Sequence, residues 1–147
     1  MTRRKKKNPN LERKKGLYLK HVGHKGRGVF SRTAIKRGEV LEMTPAVILN
    51  NAATKLTDKT ILNNYDFIIG NISKAMRKAA GVKDVRDASC VIMGLMTFCN
   101  HDEEPNAEIL WEEIDGTLYY SLHATRAIPK NTEICTTYGS TWFKDRH

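Results

Sequence analysis

The chain has 147 residues, of which 40% are hydrophobic and 28% are charged. This length and composition suit one globular domain with a single hydrophobic core. No apolar run approaches the roughly 18 residues of a membrane-spanning helix, and no apolar stretch follows the basic amino terminus. We therefore expect a protein of the cell interior, in the cytoplasm or the nucleus, with no membrane contact.

Positive charge is concentrated at the start of the chain. The formal net charge is +9, and residues 1–20 alone hold nine Lys and Arg against Glu12, which gives +8. Such a segment is usually solvated, and it suits contact with nucleic acid as well as a nuclear address. We expect a basic, flexible arm over residues 1–16 and a single domain over residues 17–147 that ends in a short aromatic segment.

Short segments rich in β-branched and aromatic residues, separated by Gly, Pro and Asn, predict a mainly β fold. The predicted strands are Leu17–Val22, Val40–Leu49, Ala107–Ile114 and Leu118–Thr125. The last two flank Asp115-Gly116, a strong signal for a β-hairpin.

Helical signals are fewer and shorter. They predict helices over Thr57–Asn63 and Ser73–Ala80. In the second, Ser73 suits the N-cap and Gly81 suits the C-terminal stop.

The cysteines Cys90, Cys99 and Cys135 are too few for a disulfide framework, and none forms a Cys-x-x-Cys pair suited to zinc. We expect reduced, buried thiols in small core positions. A redox role stays open for Cys99 and Cys135.

Three motifs occur in a distinctive order. They are Gly26-Arg27-Gly28-Val29-Phe30, then Asn100-His101-Asp102-Glu103-Glu104-Pro105-Asn106, then Glu133-Ile134-Cys135-Thr136-Thr137-Tyr138-Gly139. Each alone is weak, because such turns and strand ends occur in unrelated proteins. Together the set resembles SET-domain protein lysine methyltransferases, in particular the compact SET proteins of bacteria and viruses. The resemblance implies a β-clip fold of small sheets with short helices, whose C-terminal segment is threaded as a pseudoknot.

The glycine motif allows a close approach of backbone to ligand, because glycine tolerates a positive φ. By itself it also fits a plain turn. The segment that follows, from Val29 to Val40, is similar to the start of SET domains. The resemblance implies that Gly26, Arg27 and Gly28 contact S-adenosylmethionine.

Asn100 and His101 combine a planar amide with two distinguishable ring nitrogens. The resemblance implies that both hold the cofactor and that His101 also packs the C-terminal segment. Many relatives have Ser and a zinc-binding Cys where this chain has Asp102 and Glu103, so we expect no zinc. Trp142 can cover the adenine ring instead, since an aromatic face can substitute for a metal-tied flap.

Tyr138 is the expected catalytic residue. Methyl transfer from a sulfonium to an amine requires alignment, exclusion of water and an unprotonated amine. Lysine in water has a pKa of about 10.4, and burial beside a positive sulfonium lowers it. The resemblance implies that the Tyr138 hydroxyl orients this amine. For Tyr65, a lysine-channel wall and a core position are both open.

The substrate expectation comes from charge. Between Asp102 and Asp115 the chain has seven acidic residues and no Lys or Arg. This favours a basic, histone-like protein segment, with Glu112 and Glu113 as contact residues.

The implied function is S-adenosylmethionine-dependent protein-lysine N-methyltransferase. A non-catalytic SET-like module that binds peptide or nucleic acid is the alternative. A small basic nucleic-acid-binding protein is less consistent with the nearly neutral folded part. Compact SET proteins sometimes dimerise to complete the substrate groove, so a homodimer stays open.

Overall fold

The computed structural model describes residues 11–137. Its strands are β1 (Leu17–His21), β2 (Arg27–Ser31), β3 (Val40–Leu49), β4 (Phe67–Ile68), β5 (Ser89–Ile92), β6 (Asn100–His101), β7 (Ala107–Ile114), β8 (Thr117–Ala124) and β9 (Cys135–Thr136). Its α-helices are α1 (Asn51–Thr57) and α2 (Lys74–Ala80). Short 3-10 helices cover Gly23–Lys25, Ile61–Asn64, Val85–Asp87 and Leu95–Phe98. The mainly β class predicted from the sequence is confirmed.

The described strands form three sheets. β1 and β2 make an antiparallel ribbon, a five-stranded sheet has the order β4-β5-β3-β8-β7, and β6 pairs with β9. All the pairings within the five-stranded sheet are antiparallel, whereas β6 and β9 are parallel. Parallel partners need a long connection, and here β7, β8 and the segment after them supply it.

The long hairpin β7–β8 is the most regular part of the fold. Its turn contains Asp115 at φ 48° and Gly116 at φ 78°, two consecutive positive values that match the twist of the flanking strands. The predicted turn and the predicted β7 are confirmed. β8 begins and ends one residue earlier than the predicted strand.

The side chains of the hairpin alternate between two faces of the sheet. Ala107 and Ile109 belong to or pack against the hydrophobic core, as do Leu118 and Leu122 of the partner strand. Glu108 and every second residue from it along β7 point to the opposite face.

One of the two predicted helices is confirmed. Ser73 caps α2 by accepting the backbone N–H of Met76 at 3.2 Å, and Gly81 ends it in the left-handed conformation with φ 71°. The prediction of a helix over Thr57–Asn63 is wrong. α1 starts earlier because the Asn50 side chain accepts the N–H of Ala53, and it ends at Thr57.

The first described residues run beside β3. Lys14 donates its backbone N–H to the carbonyl of Leu41 at 2.8 Å, and Met43 donates to the carbonyl of Glu12 at 3.0 Å. These bonds extend the sheet along the edge of β3 that lies opposite β8, beside the part of β3 that does not pair with β5. The domain boundary at residue 16 stays a prediction. Across residues 11–137, no helix has the length and apolar character needed to cross a membrane.

Candidate active site

Strand β9 brings the third motif against the second. Asn100 lies opposite Cys135, and His101 lies opposite Thr136, in the parallel β6–β9 pair. On its amino-terminal side, Ile134 donates its N–H to the carbonyl of Val29 at 2.8 Å. The three sequence motifs therefore meet in one place.

The Asn106 side chain secures this strand from a further direction. Its Nδ2 donates to the carbonyl of Glu133 at 2.9 Å, and its Oδ1 accepts the N–H of Cys135 at 2.9 Å. Asn106 is buried, at 8% exposure, so both bonds are shielded from water. The Asn106 amide thus bonds to the backbone at Glu133 and Cys135 much as a neighbouring strand would.

The glycine motif forms a tight turn at the start of β2. Gly26 adopts φ 77°, and the N–H of Val22 donates to its carbonyl at 2.7 Å. Gly28 leaves room for a different reason. A Cβ there would lie 2.5 Å from Oε2 of Glu133 and 3.3 Å from Nδ2 of Asn100. The missing side chain lets β2 approach both residues.

A polar network joins the turn to the other motifs. Asn100 Nδ2 donates to the carbonyl of Arg27 at 3.2 Å and to Oε2 of Glu133 at 2.6 Å. The Nζ of Lys25 donates to Oε1 of the same carboxylate at 3.2 Å. This hydrogen bond, aided by the negative charge of Glu133, raises the pKa of Lys25. The lysine is therefore cationic at neutral pH.

A cavity of about 510 Å³ opens beside this network. The residues that line it include Lys25, Gly26, Arg27, Tyr65, Phe98 and Asn100. A volume of this size suits a small organic ligand, and the cavity wall offers it both polar and aromatic side chains.

Phe98 contacts two other residues that line the cavity, Tyr65 and Arg27. Its ring centre lies 5.7 Å from that of Tyr65, with the planes at 59°. The guanidinium carbon of Arg27 lies 4.6 Å from the Phe98 ring centre, in cation–π contact. Arg27 thus has two roles, since its backbone carbonyl binds Asn100 and its side chain covers Phe98.

The 3-10 helix that leads into Asn100 is anchored by a buried carboxylate. Glu42 of β3, at 3% exposure, accepts the backbone N–H groups of Leu95 and Met96 at 2.9 Å each. Gly94 precedes them, and a Cβ at this position would lie 2.6 Å from Oε1 of Glu42. The helix start is therefore fixed to the central sheet.

Comparison with known proteins identifies the family. The family model of the SET domain matches residues 26–139, which is more than half of the chain. This chain is a SET-domain protein. The match contains all three motifs, which meet in this structure through the contacts of β9 with β6 and of Ile134 with Val29.

Solved structures of other proteins share this fold. A proposed histone methyltransferase of Plasmodium falciparum superposes with a TM-score of 0.61 at 23% identity, covering 88% of this chain and 98% of its own. The Neurospora histone lysine methyltransferase DIM-5 gives a TM-score of 0.62 at 21% identity over 84% of this chain. The match spans 52% of the DIM-5 chain. A search of curated proteins finds no match.

The SET fold brings together most of the predicted cofactor residues that the structure describes. Gly26, Arg27 and Asn100 line the cavity, as does Tyr65, while Gly28 faces the polar network. His101 lies opposite Thr136 of the C-terminal strand. Tyr138 and Trp142 lie outside the described residues.

The predicted substrate residues lie on β7 of this SET domain. Glu113 Oε1 accepts the backbone N–H of Ser73, which ties the hairpin to the start of α2. Glu112 is opposite Tyr119, on the other face of the sheet. Neither residue lines the cavity.

The structure adds three residues that the sequence had not singled out for the site: Lys25, Phe98 and Glu133. Glu133 begins the third motif, and its position there was an available signal. The sequence carried no comparable signal for Lys25 and Phe98, because their roles depend on which segments of the chain come together in the fold.

The three cysteines of the SET domain are free and buried, as predicted. Burial raises the pKa of Cys90 to about 12 and that of Cys135 to about 11, and it also raises the pKa of Cys99. Such thiols stay protonated and unreactive at neutral pH. Within residues 11–137, no group of three or more His, Cys, Asp or Glu residues is placed to hold a metal ion.

Proposed function

We propose that this SET-domain protein is an S-adenosylmethionine-dependent protein-lysine N-methyltransferase that acts on a basic, histone-like segment. The observation that carries the proposal is the convergence of the glycine turn and Asn100, from motifs far apart in the sequence, on one cavity wall. The family assignment and the likeness in fold to two histone methyltransferases, one of them proposed, support it.

The described residues fit the cofactor. The cavity volume of about 510 Å³ suits a ligand of nucleoside size, and the turn at Gly26 allows close backbone approach. With Nδ2 of Asn100 committed to two acceptors, its Oδ1 suits an ammonium donor. Gly26, Arg27, Gly28, Asn100, His101 and Trp142 would hold the molecule, which supplies a methyl group on a sulfonium.

The chain's own task is to position the amine and exclude water. The Tyr138 hydroxyl would orient the lone pair of the lysine amine, since Tyr138 follows directly after the segment that β9 anchors. Tyr65, packed on Phe98, would form part of the apolar wall that keeps the amine uncharged.

The substrate class follows from exposed negative charge. Asp102, Glu103 and Glu104 are exposed just after Asn100-His101, and Glu108 is exposed on β7. Carboxylates near the site raise the encounter rate with a basic segment and set its register.

The test is intact-mass analysis of histones and other basic proteins after incubation with S-adenosylmethionine. We expect mass gains in methyl steps from the parent protein. We expect almost none from Tyr138→Phe, which deletes one hydroxyl and keeps the ring, while its cofactor affinity stays near that of the parent.

Tyr18→Phe is the matched control. It removes a hydroxyl that donates to Oδ1 of Asn131 at 2.8 Å, away from the cavity, so activity should be retained. Cofactor binding without any mass gain would favour the non-catalytic binding module. Parental activity in Tyr138→Phe would contradict the assigned catalytic centre.

A further inference from the structure

We propose that Glu133 is a positioning residue, which holds the Asn100 amide with its oxygen available to a donor group of the cofactor. The inference rests on the proposed function, because it assigns a role in binding S-adenosylmethionine. Glu133 itself acts through Asn100, and its role is separate from that of Tyr138.

The first argument is the chemistry of the two partners. A carboxylate can only accept hydrogen bonds, so the amide must present its nitrogen to Oε2 of Glu133, at 2.6 Å. The carbonyl of Arg27 accepts from the same nitrogen at 3.2 Å. A flipped amide would place Oδ1 against two oxygens and lose both bonds. The two acceptors therefore select one orientation, which reserves Oδ1 for a ligand.

The second argument is that Glu133 is itself held in place. Its backbone carbonyl accepts from Nδ2 of Asn106 at 2.9 Å, which fixes the start of the C-terminal strand. Its second carboxylate oxygen, Oε1, accepts from Nζ of Lys25 at 3.2 Å. The Glu133 side chain is only 17% exposed, so solvent competes weakly for the bond to Asn100.

The third argument is steric. The carboxylate occupies the space above Gly28, where a Cβ would lie only 2.5 Å from Oε2. The glycine at this position thus leaves room for the Glu133–Asn100 contact. This links Gly28 to ligand binding through Glu133, in addition to any direct backbone contact.

The test is a double-mutant cycle on cofactor affinity, measured by calorimetry with the full chain and S-adenosylmethionine. Glu133→Ala should raise the Kd about tenfold, the loss expected when a charge-assisted hydrogen bond that fixes a binding group is removed. In an Asn100→Ala background the same change should alter the Kd less than about twofold, because the group it orients is gone.

Two further variants sharpen the result. Glu133→Gln keeps an acceptor oxygen for Asn100, so its Kd should stay within about threefold of the parent. Glu104→Ala removes an exposed carboxylate of the second motif, which contains Asn100, and should leave the Kd unchanged.

The outcomes separate the two proposals. A parent protein that does not bind S-adenosylmethionine contradicts the proposed function. A parent that binds, with equal losses from Glu133→Ala in both backgrounds, overturns the positioning role and indicates a general effect on the fold. Unchanged affinity in Glu133→Ala also overturns it. If Glu133→Ala does not fold, the same cycle with Glu133→Asp, whose shorter side chain draws the carboxylate back from Nδ2 of Asn100, decides the question.

Discussion

The carboxylate of Glu42 accepts the backbone N–H of Met96 at 2.9 Å, deep in the core. The same carboxylate accepts the N–H of Leu95, and Arg13 lies 3.7 Å from it. A negative charge at the start of a helix satisfies N–H groups that lack an intrahelical partner. Through this contact the central strand β3 sets where the segment leading to Asn100 begins.

Replacement of Glu42 by Ala should therefore destabilise the protein strongly. It leaves two backbone N–H groups buried without their acceptor, and we expect the free energy of unfolding to fall by about 2–4 kcal/mol. Urea denaturation measures this. Glu104→Ala, at an exposed position, should change it by less than about 0.5 kcal/mol. Equal stability of the two variants would contradict the role of Glu42.

Gly94→Ala should be destabilising for steric reasons alone. Gly94 has φ −154°, which any residue adopts, but a Cβ would lie 2.8 Å from Cδ of Glu42 and 2.9 Å from Cγ2 of Thr44. We expect a loss of about 1–3 kcal/mol from overpacking. In a Glu42→Ala background the loss should shrink, because the obstructing carboxylate is absent. Identical losses in both backgrounds would rule out this clash.

Stability should fall at alkaline pH through the buried thiols. Burial raises the pKa of Cys90 from 9.0 to about 12, so the folded state favours the neutral thiol. Its contribution is fully present below pH 9 and is lost as the pH rises from about 9 towards 12. Cys90→Ala should lower stability at neutral pH but reduce its decline above pH 9, as measured by urea midpoints. A parallel decline in both proteins would contradict this assignment.

Charge reversal on the outer face of β7 should weaken substrate binding in a salt-dependent way. Glu112→Lys should raise the KM for a basic peptide more at low ionic strength than at high, since even a half-exposed charge acts mainly on encounter and is screened by salt. Asp58→Lys reverses the charge of an acidic residue at the C-terminal end of α1 and serves as the control. Salt-independent kinetics in Glu112→Lys would contradict a steering role.

Glu113 requires a different test from its neighbour. Because it accepts the N–H of Ser73, Glu113→Lys should also lower the unfolding midpoint, whereas Glu108→Lys, at an exposed position of the same strand, should leave it nearly unchanged. Steady-state kinetics should therefore be paired with denaturation curves for both variants. Equal stability of the two would show that the Ser73 contact is of little energetic value.

Local patterns predicted the parts of the fold that depend on neighbouring residues. The hairpin at Asp115-Gly116 and the caps of α2 follow from turn and capping chemistry within a few residues. The helix predicted over Thr57–Asn63 failed because the Asn50 cap starts α1 earlier and the chain then turns into a 3-10 helix. Competing local caps decide such boundaries, and periodicity over so short a segment does not resolve them.

The sequence by itself determined the mainly β class, the order of the three motifs and, through them, the family. Only the tertiary structure decided that Asn100 meets Glu133, that Lys25 joins them, and that Glu42 accepts the backbone N–H of Met96. These contacts join segments far apart in the chain through side chains whose direction depends on strand pairing. Residue type and spacing carry no information on that pairing when it is parallel and long-range, as in β6 and β9.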